Sequence, residues 1–149
     1  MEIKSVKSYR LVKSEDLNHH GTLFAGRTSE WFVESGFIAA SLLINPRHLI
    51  CVNIHGMHFI KPVKLGQTVC FESKVIHTGN SSIITYTKVS VLDEAEHTEK
   101  VVVDGFITYL YVDENTRPKN HNIVLEFKHP KDIKLNEIAK NLKDSIWTI

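Results

Sequence analysis

The sequence predicts an α+β domain: one antiparallel sheet wrapped around a single long central helix, with an amphipathic helix added at the C-terminal end. Three observations carry that reading. Residues 31–44 are apolar almost all round, which marks a buried helix rather than one laid on a surface. Four strand-like segments follow, joined mainly by short turns. From Pro130 onward the apolar residues change to helical spacing.

In chain order, Ile3, Ser5, Lys7, Tyr9 and Leu11 alternate with Lys4, Val6, Ser8 and Arg10, giving a first strand over residues 3–11. Residues 14–26 are polar and glycine-marked, so they form a loop. The central helix is expected over about residues 27–44, where Asn45 and Pro46 stop it. Residues 50–61 form the next strand, ended by Pro62, and residues 64–67 turn the chain. Val69, Phe71, Ser73, Val75 and His77 give period two, and Thr78, Gly79 and Asn80 signal a hairpin. Residues 83–92 and 101–112 are the last strands, separated by a charged turn at 93–98 and closed by Asp113, Glu114 and Asn115. In the tail, Leu135, Ile138, Ala139, Leu142 and Ile146 share a helical face. Asp132 and Glu137 come early and Lys143 late, as the macrodipole favours. That helix packs on its own domain or on a partner. A sheet around one helix leaves its edge strands open. Pairing two sheets edge to edge covers them, so a homodimer or a higher homo-oligomer is expected.

At 149 residues the chain is read as one domain, with a core of about residues 1–118 and an extension over 119–149. A net charge of +1 creates no global field for nucleic acid or an anionic membrane, so neither is an expected partner. Cys51 and Cys70 are too few for a disulfide framework. They are expected to be buried, reduced thiols in a cytoplasmic setting. The chain opens on no apolar signal region, and its longest apolar run, residues 37–44, is too short to span a bilayer. His55 and His58 look like a metal pair, but three residues apart on a regular strand they face opposite ways, so no metal site is expected. No nucleophile elbow and no phosphate-binding loop occur.

The chemistry concentrates between Asn18 and Glu34. A glycine-punctuated polar loop, Asn18 to Gly26, opens a helix, and a helix start offers unpaired N–H groups and a partial positive charge. Glu34 follows about two turns later among Trp31, Phe32, Val33 and Phe37. An oxyanion donor with a carboxylate nearby suits acyl transfer to water. The plainer alternative is that Arg27, Glu30 and Glu34 form one solvated stripe. Likewise Asn18 is either a reactant-orienting residue or an ordinary loop asparagine.

Four blocks resemble the hotdog-fold acyl-CoA thioesterases of the acyl-CoA hydrolase branch. Asn18, Gly21, Leu23, Phe24, Ala25 and Gly26 are similar to the family's N-x-x-G-x-(hydrophobic)-x-G-G. Trp31, Phe32, Val33 and Glu34 match an apolar pair followed by an acid. Residues 56–66 resemble its strand-P-V-x-x-G segment. Gly79, Asn80, Ser81 and Ser82, then residues 104–109 with Val112 and Asp113, make the fourth. The resemblance spans roughly residues 11–112. It implies hydrolysis of acyl-CoA at a site shared across a dimer interface. Glu34 would be base or nucleophile, the Gly26 amide the oxyanion donor, and Asn18 the residue that orients water or the carbonyl. His20 would donate to the carbonyl. Asn80, Ser81 and Ser82 would meet the CoA phosphates, with Lys61 as a point charge beside Lys64. Phe24, Phe59 and Trp31 would limit the acyl chain. No cofactor is implied beyond the CoA of the substrate. Two departures stand out. Ala25 replaces a glycine, and, counted from Gly26, the family's acid falls on Val33. Glu34 lies one residue, about 100° of rotation, later. A shifted helix start would turn Glu34 inward. The alternatives are an acyl-CoA-binding sensor without turnover and a hotdog acyl-thioester hydratase or dehydratase.

Overall fold

The computed structural model describes residues 1–144. Its elements are β1 (Val6–Leu11), α1 (Ala25–Ser41), β2 (Leu49–Phe59), β3 (Thr68–Thr78), β4 (Ser82–Asp93), β5 (Thr98–Tyr111) and α2 (Pro130–Asp144). The five strands form one antiparallel sheet in the order β1-β3-β4-β5-β2. β1 and β2 are therefore opposite edges, and α1 carries the chain from one to the other across a sheet face. This is the expected architecture of a sheet around one helix.

Register fixes which residues face α1. Rows such as Phe71↔Val89↔Val103 and Val75↔Thr85↔Ile107 run across the central strands and are fully or almost fully buried. Between them lies the row Ser73↔Thr87↔Gly105, made of small residues. The middle of α1 sits on it. Ser35 Oγ lies 2.7 Å from Ser73 Oγ, which lies 2.6 Å from Thr87 Oγ1, so three buried hydroxyls satisfy one another. A Cβ at Gly105 would come within 3.1 Å of the Phe32 ring. A Cβ at Gly36 would come within 2.8 Å of the Tyr109 hydroxyl and 2.9 Å of Thr85 Oγ1. Both glycines are there for close approach of helix to sheet. Gly36→Ala is expected to cost about 1–3 kcal/mol through overpacking, lowering Tm by about 2–4 °C per kcal/mol in a thermal melt.

α2 covers the opposite face of the sheet on its own domain. Ala139 packs on Ile76 and Ile84, all fully buried, with Tyr86, Phe106, Phe127 and Leu135 around them. Asn136 Nδ2 donates to the Ile76 carbonyl at 3.0 Å, and Lys74 pairs with Asp132. Ile146, which the sequence places on the same face, lies outside the described residues, as does the side chain of Lys143.

Several expectations are corrected. α1 starts at Ala25, two residues before the expected boundary, because Phe24 takes an extended cap conformation. β1 begins at Val6 rather than Ile3, and β5 begins at Thr98. Cys70 is buried as expected, whereas Cys51 is exposed on the edge strand. The argument that separated His55 from His58 also fails. Gly56, at φ +60°, sits in a bulge, so His55 opposes Phe106 and His58 opposes Asp104. Those partners are two residues apart, which puts both histidines on the same sheet face. Even so, no three metal-ligating side chains come together among the described residues.

Candidate active site

The loop before α1 is a small hairpin built by one asparagine. Asn18 Oδ1 accepts from the backbone N–H of His20 at 2.9 Å and of Thr22 at 3.1 Å. Its Nδ2 donates to Thr22 Oγ1 at 3.1 Å. Gly21 takes φ +79°, a conformation that favours glycine. Asn18 thus shapes the turn, and the side-chain atoms that would orient a reactant are used within it. The loop is docked on both sides. Leu23 N–H donates to the Val63 carbonyl at 2.8 Å, and Phe24 N–H to the Asp16 carbonyl at 2.9 Å. Asp16, almost fully buried, binds Arg27 Nε at 3.2 Å through its carboxylate. Sequence reasoning missed that clamp; the only signal was an aspartate ahead of the loop and an arginine in the first helical turn.

α1 opens without a capping side chain and without a carboxylate in its first turn. Its first N–H groups have no intrahelical partners, and the macrodipole adds partial positive charge there. The exposed Phe24 ring folds over this point. A Cβ at residue 26 would overlap that ring, so Gly26 leaves the ring space to lie across the helix start. The Phe24 ring is exposed, so a rotamer change can take it aside, and alanine favours a helix over glycine by about 1 kcal/mol. Gly26→Ala is therefore expected to keep or raise Tm while lowering kcat/KM roughly 10-fold, equivalent to ~1.4 kcal/mol of transition-state stabilisation. Paired thermal melts and thiol-release kinetics check it.

The remaining predicted residues divide into two groups. His20 is exposed, its ring tilted by 42° against that of His19 at 3.9 Å. Phe59 and Lys61 lie at the β2 end beside the loop, since Thr22 bridges Lys64. Trp31 is a core residue, edge-on to Phe71 at 6.0 Å. Asn80, Ser81 and Ser82 lie at the other end of the sheet, where they line a cavity of about 510 Å³ with His55, Asn53 and Thr108. Ser82 Oγ is buried there with no hydrogen-bond partner among the described residues. His55 Nε2 lies 2.7 Å from Thr108 Oγ1, and burial holds its imidazole below the ordinary histidine pKa.

Glu34 joins neither group. Its side chain is 53% exposed and takes Arg10 Nη2 of β1 at 2.6 Å. The same guanidinium lies over the Trp31 ring. α1 starts two residues earlier than expected, yet Glu34 still points outward to Arg10, so the inward turn expected of it is not what α1 provides. The neighbouring Val33 contributes only its backbone carbonyl, which accepts from the Tyr109 hydroxyl at 2.9 Å. The alternative, a solvated stripe of Arg27, Glu30 and Glu34, is only half formed: Arg27 pairs with Glu30 at 3.5 Å, and Glu34 pairs with Arg10.

Comparison with known proteins agrees with this architecture. The thioesterase superfamily model matches residues 20–97. The chain is 30% identical over 123 residues to an uncharacterized acyl-CoA thioester hydrolase of Haemophilus influenzae, covering 78% of this chain and 79% of that one. It is 28% identical over 117 residues to another from Bacillus subtilis, covering 78% and 67%. Among solved structures, the hexameric thioesterase of Yersinia pestis superposes with a TM-score of 0.68 at 29% identity, over 76% of this chain and 91% of that one. The acyl-CoA hydrolase of Bacillus cereus shares the fold, with a TM-score of 0.83 at 23% identity over 94% and 84%. With its hotdog sheet, its bare helix start and more than half its length matched, this chain belongs to the thioesterase superfamily.

Proposed function

We propose that this protein hydrolyses acyl-CoA thioesters to free acid and CoA, as a homo-oligomer with sites between protomers. The observation that carries the reading is the uncapped start of α1 under the Phe24 ring. With the Phe24 ring turned aside, the backbone N–H groups there would stabilise the oxyanion formed when water attacks the thioester carbonyl. The carboxylate takes the water proton, the C–S bond breaks, and CoA leaves as thiolate to be protonated by solvent. We assign the base role to Glu34, which acts by exchanging Arg10 for the reacting water. Asn18 holds the loop that presents the amides, and Phe24 and Phe59 border the acyl group.

β2 is an edge strand, and a two-fold pairing of β2 edges would give such a shared site. Such a pairing is antiparallel, so the Phe59 end of one strand lies toward the Leu49 end of its partner. That brings the α1 start of one protomer toward the Asn80–Ser82 cavity of the other. There an orphan Ser82 hydroxyl suits the CoA phosphates, with Lys61 contributing charge. The substrate brings the only coenzyme, no resident metal or cofactor takes part, and the reduced cysteines suit a cytoplasmic setting. No helix is long and apolar enough to cross a membrane among the described residues.

A second reading, acyl-CoA binding without turnover, is favoured by one observation: the Glu34 carboxylate is held by Arg10. Thiol release across a series of acyl-CoA chain lengths tests the proposal. Hydrolysis gives stoichiometric free thiol. Tight binding without thiol, or an absorbance change with enoyl-CoA alone, overturns it in favour of a sensor or a hydratase.

A further inference from the structure

On the face of the sheet away from α1, the start of α2 and strands β3 and β4 enclose a second cleft of about 350 Å³. Four lysines line it: Lys74 on β3, Lys88 on β4, and Lys131 and Lys134 on α2. Among its described lining residues Glu72 is the one carboxylate, with Asp132 and Asp104 adjoining through Lys74 and Tyr86, in a chain whose total charge is only +1. The local neutralisation is incomplete. Asp132 is taken by Lys74. Glu72 is divided between Lys88 at 3.8 Å and Lys7 at 3.4 Å. Lys131 and Lys134 make no ion pair among the described residues and are exposed. Tyr86 also lines the cleft, with its hydroxyl committed to Asp104 at 3.1 Å, and Leu135 and Ile138 form an apolar wall.

Lys74 and Lys88 are partly withdrawn from water, with side chains 19% and 36% exposed. Crowding ammonium groups from three elements into one concave site raises their mutual repulsion, and low local dielectric strengthens it. A multivalent anion relieves that repulsion, and the donor set fits one. Ammonium groups meet phosphate as point charges without demanding a planar fork. A diphosphate offers enough charge to engage the unpaired Lys131 and Lys134 together with Lys88, whose ion pair with Glu72 is long at 3.8 Å. The apolar wall beside the lysines leaves room for an organic part of the same molecule.

We propose that this cleft binds a diphosphate-bearing anion at a site separate from the Asn80–Ser82 cavity. Inorganic pyrophosphate, a nucleoside diphosphate and free CoA share that chemistry. Calorimetric titration of the intact oligomer separates these sources, with pyrophosphate, ADP and CoA as the three probes. Saturable pyrophosphate binding is expected, weakening as salt is raised. In the double variant K131E/K134E, pyrophosphate affinity is expected to fall at least 10-fold, and thiol release without added pyrophosphate to stay unchanged. Both residues are exposed, so a circular dichroism spectrum and Tm like the parent's are expected. A single milder variant, Lys88→Gln, should weaken binding in the same direction. If ADP binds more tightly than pyrophosphate and loses affinity in the variants, the organic part is recognised too. If CoA alone binds, and binds equally to K131E/K134E, its phosphates are held elsewhere and the proposal is overturned. Absence of saturable pyrophosphate binding overturns it as well, whatever the hydrolase assay shows.

Discussion

Ile54→Lys is expected to split the oligomer and reduce thiol release about 100-fold or more, the scale at which loss of a positioned oxyanion donor is felt. β2 is an edge strand, and along it Val52, Ile54 and Phe59 are 50%, 44% and 48% exposed. Apolar side chains in a row on an open edge are a template for pairing. Ile54 opposes Ile107 on the face toward α1, so in a β2–β2 dimer its outer half would meet the second copy. A lysine there keeps its stem against Ile107 and sends its ammonium to the edge. The protomer tolerates that, but the seam would then bury two like charges. Sedimentation velocity and thiol release, measured on one preparation, check the two halves together. A variant that keeps both its mass and its turnover would mean that the working site is not shared through this edge.

The same strand shows how far the sequence could be read. Its place after the buried helix, its length and its stop before Pro62 were all legible, because they depend on local punctuation and period. Its two register shifts, between Cys51 and Asn53 and between His55 and His58, were not. A bulge changes which face every later residue takes, and only the partner strand reveals it. The buried chain Ser35, Ser73 and Thr87 was hidden for a related reason. In sequence these are ordinary polar residues in a helix and two strands, and only helix-to-sheet packing brings the hydroxyls together. The start of α1 was legible as a glycine-marked loop feeding an apolar helix. Its boundary was misplaced because no capping side chain announces Ala25. Phe24 and Gly26 were each legible as candidates, whereas the ring of one lying over the other is a tertiary fact. The orientation of Glu34 was least accessible of all. Its partner, Arg10, is 24 residues away on the opposite edge from β2, and nothing local links the two.

That pair sets the sharpest test of the chemistry. Glu34→Gln is expected to lower kcat at least about 100-fold, the usual range for removing a general base, with little change in KM. Stability should barely move. The Arg10–Glu34 pair is half exposed on both sides, at 41% and 53%, and such pairs are worth about 0–1 kcal/mol. A control separates base from ion pair. Arg10→Ala removes the same contact and the cation over Trp31, yet leaves the carboxylate in place and free to meet water. If Glu34 acts on the substrate, Arg10→Ala retains most of its turnover while Glu34→Gln does not. The two variants would differ in kcat by more than an order of magnitude at nearly equal Tm. Equal and near-parental turnover in both would make Glu34 a surface anchor for β1. Hydrolysis would then have to proceed from backbone dipoles and water alone.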